Sequence, residues 1–287
     1  MDPEQAQTDA MALELSRVWM QVLPELRFQR VVKRLTIRLG GQVVARTDRA
    51  VLVMEPMRVV PSYAVPVADL LVPLEPGTTG PPPEYRPVGF GEGGPPLLDP
   101  SVPFGVHSSE GESVRLRAGE RTGDGFRFTD PDLADLVCLD FDQFEWWEED
   151  EPIVGHPRDP FHRIDVRRSS RHVRISHEGT LLATSGRPHV LFEAAFPLPR
   201  YYLPREDVTV ELQPAALRTT CAYKGRATHY DVVLDGGGAA LEAIAWSYEE
   251  PLDDARDVRG MVSFYQERLD LELDGEQTAR VRTPWSD

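Results

Sequence analysis

Shifting the chain by 138 residues lays positions 35–76 on 173–214 without a gap, and 12 of the 42 pairs are identical. The identities are Ile37/Ile175, Gly41/Gly179, Ala45/Ala183, Arg49/Arg187, Glu55/Glu193, Pro61/Pro199, Tyr63/Tyr201, Pro66/Pro204, Asp69/Asp207, Val72/Val210, Leu74/Leu212 and Pro76/Pro214. Gly, Pro, Tyr and charge at matched spacing point to an internal repeat, so the chain has to fold as two similar units. Each copy opens with alternating apolar residues around a Gly-bearing turn, Leu35–Leu39 then Val43–Ala45, and Val173–Ile175 then Leu181–Ala183. That is the pattern of a β-hairpin. Beyond position 76 the copies differ in length. His107–Gly111 is aligned with Cys221–Gly225, Phe126–Pro131 with Trp246–Pro251, and Asp135–Leu139 with Gly260–Phe264.

The expected fold is mainly β: two tandem pseudo-repeat antiparallel β domains with an N-terminal helix. Residues 1–30 form a helical segment, 31–155 the first repeat and 156–287 the second. Met11, Leu13, Leu15, Val18, Trp19, Val22, Leu23 and Leu26 carry mostly helical spacing, and Pro24 ends or kinks the run. This helix either covers a core or joins two copies as a homodimer. Residues 77–103 form a Pro/Gly-rich insertion that cannot hold a regular ladder, either a lid or a disordered loop. The acidic stretch Glu145–Glu151, with Trp146 and Trp147, reads as a solvated strand edge.

The charge balance limits the partners. With 47 acidic and 31 basic side chains the net charge is −16, which opposes nucleic-acid binding and docking on anionic lipid. No apolar run approaches a membrane span, and the acidic N-terminus lacks the order of a signal peptide, so a cytoplasmic protein is expected. Two cysteines, Cys138 and Cys221, cannot build a disulfide framework. Only Lys33 and Lys224 are lysines among the basic residues. Codon bias toward Arg explains most of that, but a retained lysine supplies a titratable amine that Arg cannot.

The second copy reads Pro199–Val208, then Thr220-Cys221-Ala222-Tyr223-Lys224-Gly225, Ala245–Glu249 and Gly260–Tyr265, and the join carries His156-Pro157-Arg158-Asp159-Pro160. These motifs resemble the tandem form of the bacterial "domain of unknown function 427" family, over nearly the whole chain after about residue 30. Ala222 departs from the family pattern, which has Pro there. The resemblance implies a small antiparallel β fold of tent-like shape, sometimes filed as nucleotidyltransferase-like, with some tandem members in natural-product pathways. This chain offers no Gly-rich phosphate loop leading into a helix, and no acidic pair beside one.

Comparison of the copies singles out site candidates. Arg200, Tyr202, Arg205, Tyr223, Lys224, Tyr230 and Trp246 stand where the first copy has Ser62, Ala64, Val67, Ser109, Glu110, roughly Leu116 and Phe126. Arg, Lys, Tyr and Trp together suit a pocket for a planar, oxygenated molecule. In that reading Arg200 and Arg158 hold oxyanions. Lys224, with a pKa depressed by its neighbours, Tyr223 and Asp159 move protons. Tyr202 and Trp246 form walls, and Arg205, Tyr230 and His156 complete the binding surface. The competing reading makes the aromatics core and the cations rim. Residues shared by both copies read as structural, with Glu55/Glu193 and Arg49/Arg187 as a repeated ion pair. Cys221 reads as a small hydrophobe. His156 and His162 lack further ligands, so no metal site is expected. The function expected is a cofactor-independent acid/base enzyme, of lyase or dehydratase type, on a small cyclic or aromatic metabolite. The alternatives are a non-catalytic small-molecule or partner-binding module, and a nucleotidyltransferase-like enzyme.

Overall fold

A computed structural model describes residues 12, 15–78, 87–88, 97–98, 100–194, 196, 198–234, 241–283 and 285–286. The chain is mainly β, and the paired strands are antiparallel. In the first half, strand Leu35–Leu39 folds back on Gln42–Thr47 through Gly40 (φ 58°) and Gly41 (φ 84°). The second half repeats this with Val173–His177 and Thr180–Ser185 through Glu178 (φ 48°) and Gly179 (φ 82°). Two successive residues with positive φ make the turn that matches strand twist. Both hairpins carry a register shift just after the isoleucine, Ile37 and Ile175. Alternation buries Leu35, Ile37 and Leu39 on one face.

Glu145–Glu148 with Glu151–Pro152 extends the first hairpin sheet and Asp270–Leu273 with Glu276–Gln277 the second, and most other strands form separate sheets. In the first half a seven-stranded sheet runs Arg27–Arg30, Val51–Met54, Ser62–Pro66, Leu136–Leu139, Arg121–Phe128, Gly111–Ala118, Leu74–Pro76. In the second, Ile164–Arg168, His189–Glu193 and Arg200–Tyr202 form one sheet, and Leu212–Cys221, Gly225–Val232, Leu241–Ser247 and Val262–Phe264 another. A Leu203–Val262 bridge links the two, as Leu136–Leu139 pairs with Ser62–Pro66 in the first half. The cores lie between these sheets, with Leu35, Tyr63, Leu116 and Trp146 in one and Val173, Tyr201, Val232 and Phe264 in the other.

Register corrects part of the sequence alignment. Leu74 pairs with Leu116 and Leu212 with Val232, while Pro76 pairs with Val114 and Pro214 with Tyr230. Tyr230 therefore stands where the first half has Val114, not Leu116. Carried back along the strand, the same offset sets Tyr223 and Lys224 against His107 and Ser108. The alignment had matched Gly111 to Gly225, but these glycines do different work. Gly225 turns the chain at φ 99°, whereas a Cβ on Gly111 would lie 2.2 Å from the Arg127 carbonyl oxygen.

Two further expectations change. Glu145–Glu148 is not an edge: it pairs on one side with Leu35–Leu39 and on the other with Glu151–Pro152. Trp146 is buried in the core, and the outward Trp147 packs under the Arg38 guanidinium. The helical segment expected over 1–30 is a helix at Leu15–Val22 but gives way to a strand at Arg27–Arg30, which pairs with Val51–Met54; the Trp19 ring of the helix lies 5.6 Å from that of Phe161. Most of the Pro/Gly-rich insertion lies outside the described residues; within it Pro87–Val88 pairs with Leu97–Leu98. Among the described residues no helix is long and apolar enough to cross a membrane.

Candidate active site

The site of interest lies where the strand His189–Glu193 ends. Its last residue faces the hairpin loop between Leu212–Cys221 and Gly225–Val232, which carries Lys224. Gly225, at φ 99°, lets that loop close in a conformation other residues rarely adopt. The join is clamped to the same loop. A Cβ on Gly155 would come 3.1 Å from the Ala222 nitrogen, Arg158 Nε donates to the Ala222 carbonyl (2.8 Å), and the Asp159 N–H donates to the Tyr223 hydroxyl (2.8 Å). The absence of Pro at position 222 thus leaves a loop held by its neighbours.

Glu193 divides its carboxylate between two partners. Oε2 accepts from Lys224 Nζ at 2.6 Å, and Oε1 lies 3.1 Å from His162 Nε2. The three side chains are mostly covered but open at one edge, with exposures of 19% for Glu193, 12% for Lys224 and 22% for His162. Burial works against the charge on Glu193, but the Lys224 ammonium and the bond to His162 outweigh it and hold the carboxyl down to about 2. Burial likewise opposes the charge on Lys224, and the Glu193 carboxylate more than compensates, so the lysine is pushed above its ordinary value. The expectation of a depressed lysine is reversed, because the Glu193 carboxylate lies against the ammonium. The Tyr223 ring packs 4.5 Å from that of His162. Its hydroxyl is pushed to about 12 by burial. His156, whose Nδ1 bonds the Pro157 carbonyl, is pushed below its ordinary value by burial, with smaller contributions from the cations around it.

Other candidates stand elsewhere or are already engaged. Arg158 pairs with Asp254 at 2.7 Å rather than with Asp159, so its guanidinium fastens the join. Arg200 is buried with Glu267, bonding both carboxylate oxygens, and Thr283 donates to one of them. The rings of Phe196, Trp246 and Tyr265 surround that guanidinium. An arginine neutralised in this way is not an open oxyanion holder. Tyr202 and Trp246 are core residues joined by an indole N–H to hydroxyl bond of 3.1 Å, not walls, and burial raises the Tyr202 hydroxyl to about 12. Arg205 donates to the Tyr230 hydroxyl (2.7 Å) beside Glu249, a separate cluster from that around Glu193. Two cavities among the described residues, one beside Tyr201 and Arg171 and one beside Tyr201 and Leu273, are lined by none of these candidate residues.

Sequence comparison missed Glu193 and His162. Glu193 matches Glu55, and agreement between copies argued for structure alone. The matched residues have different partners, however. Glu55 bonds His107 (2.8 Å) and the backbone N–H groups of Ser108 and Ser109, closed under a Phe126 ring stacked 3.9 Å from the imidazole. The expected ion pair with Arg49 and Arg187 is absent from both halves as described. Those arginines instead bond Asp69 and Asp207, which also accept from Thr47 and Ser185.

The class of protein is therefore an antiparallel β protein with a carboxylate–lysine–histidine cluster at a hairpin loop. Residues 165–275 match the family described as "Domain of unknown function (DUF427)". The match includes Glu193 and Lys224 and begins just after His162. No curated protein matches the chain.

Proposed function

We propose that the chain is a duplicated β protein whose second half is a cofactor-independent acid/base enzyme acting on a small cyclic or aromatic oxygenated metabolite. The observation that carries this is the single carboxylate of Glu193 shared by Lys224 and His162 at a partly open edge. With Nε2–H directed to Glu193, the Nδ1 atom of His162 is left as the proton acceptor, and the carboxylate stabilises the imidazolium that forms. Lys224 stays protonated. It keeps Glu193 ionised and favours negative charge developing on a substrate oxygen.

The reaction type that fits is elimination of water. His162 takes a proton from the carbon beside a carbonyl, and that electron pair becomes the new double bond. The C–O bond to the departing hydroxyl breaks, and the hydroxyl leaves as water with the proton His162 returns.

The test is a thermal-shift screen of cyclic hydroxyketones, aromatic acids and quinones, followed by product analysis for loss of water, since a ligand of the native state raises the melting temperature. His162→Ala is expected to lower turnover by roughly 100-fold or more while leaving the melting temperature close to wild type. Full turnover in that variant removes His162 from proton transfer. Binding without turnover in the wild type supports a binding module instead, and stabilisation by nucleotide with Mg²⁺ alone supports the nucleotidyltransferase-like reading.

A further inference from the structure

One carboxylate of the first half has no counterpart in the second. In the first half the Tyr63 hydroxyl donates to Glu148 Oε1 at 2.6 Å, and the Lys33 ammonium bonds the other oxygen. Glu148 occupies the strand position opposite Leu35. In the second half the position opposite Val173 is held by Leu273. The tyrosine is retained: Tyr201 pairs with Val190 as Tyr63 pairs with Leu52. The cation is retained too, because Arg171 precedes Val173 by two residues, as Lys33 precedes Leu35. What is missing is the acid between them. The neighbouring Asp274 does not replace it. Asp274 accepts from the His172 backbone N–H, as Glu149 does from that of Arg34, and comes no closer than 3.9 Å to Arg171.

A cavity of about 350 Å³ opens at this place, with Arg168, Arg171, Val190, Phe192, Pro199 and Tyr201 in its lining. Its volume is that of a small-molecule site. Strand pairing sets Arg167, Val190 and Tyr201 in one row, with Phe192 one step along the same face. The apolar groups make the floor and the guanidiniums the rim. Among the described residues Arg168 has no ion pair and the Tyr201 hydroxyl no hydrogen bond, whereas Arg167 is held by Asp165 at 2.6 Å. In a chain of net charge −16, this is a local concentration of cations around a ring-lined hollow.

We propose that this cavity binds an aryl carboxylate, whose acid group takes between Tyr201 and Arg171 the place that Glu148 takes between Tyr63 and Lys33. The ring lies on Val190, Phe192 and Pro199, and Arg168 adds charge at the mouth. A guanidinium and a phenol together give a carboxylate charge-assisted bonds in a fixed direction, and the flat apolar floor favours a ring over a small inorganic anion. Glu193 points away from this face of its strand, so the inference does not depend on the acid/base reading above.

The experiment is calorimetric titration of the full chain with benzoate, cinnamate and 2-naphthoate, with benzamide as the uncharged counterpart and inorganic phosphate as the anion without a ring. At least one carboxylate is expected to bind at least tenfold more tightly than benzamide and phosphate. Arg171→Met is expected to weaken it by roughly tenfold or more, and Tyr201→Phe by several-fold. Leu273→Glu restores an internal acid at the Glu148 position and is expected to abolish carboxylate binding while the protein stays folded. Circular dichroism melting of each variant separates lost binding from lost structure, and Arg171→Met serves if the Leu273 variant fails to fold. No carboxylate binding, equal binding of benzamide or phosphate, or undiminished binding in folded Leu273→Glu overturns the proposal.

Discussion

Glu193 and Lys224, 31 residues apart in sequence, meet with 2.6 Å between carboxylate oxygen and ammonium nitrogen, at the end of a strand and the tip of a hairpin. Each keeps the other charged in a place that burial alone would make neutral. Glu193→Gln therefore leaves the Lys224 charge without its counter-ion, and a loss of about 2–4 kcal/mol is expected by urea denaturation. The double variant Glu193→Gln/Lys224→Met should recover much of that loss, because no lone charge remains. A loss below about 1 kcal/mol in the single variant would mean a solvated pair of little consequence.

The same pair predicts an acid limb. Glu193 is held at about 2 against an ordinary value of 4.5, so between those limits the unfolded chain binds a proton that the folded chain does not. Its contribution is complete above pH 4.5 and is lost as pH falls toward 2. Glu55 and Glu267 are also depressed and share this limb, so the readout is a difference. Melting temperature plotted from pH 6 to 3 should fall less steeply in Glu193→Gln than in wild type.

Arg200 and Glu267 form a buried, two-point ion pair. Arg200→Met alone strands the Glu267 carboxylate and is expected to cost about 3–5 kcal/mol. Arg200→Met/Glu267→Leu removes both charges and should return to within about 1–2 kcal/mol of wild type. If the single variant kept its stability and lost only ligand binding, the arginine would be an anion holder after all.

The two glycines that the sequence aligns should fail for different reasons. Gly225→Ala places a side chain at φ 99° and is expected to cost about 1–3 kcal/mol through backbone strain. Gly111→Ala has an ordinary φ but a Cβ that would strike the Arg127 carbonyl and the Phe126 ring. It should destabilise by a similar or larger amount, about 2–4 kcal/mol, as overpacking does. Chemical denaturation of both variants checks this.

The repeated hairpins were readable in the sequence because strand alternation and turn glycines are local signals, and an offset of 138 preserved them. The mainly β fold followed from those signals. Alignment slipped where the copies differ in length, since a glycine at a turn and a glycine under a carbonyl look the same as letters. The aromatic and basic enrichment of the second half was also visible, but which cations were already neutralised was not. Arg200 and Arg158 find Glu267 and Asp254 across 67 and 96 residues.

Sequence by itself determined the elements and their order, because backbone pattern is set by near neighbours. Tertiary structure alone decided the chemistry. Glu193 gains Lys224 and His162 where Glu55 gains His107, and Leu273 leaves Tyr201 and Arg171 without the acid that Glu148 gives Tyr63 and Lys33. A side chain's charge state and availability depend on which partners the fold brings within bonding distance and how much water it removes, and neither is a property of the residue's place along the chain.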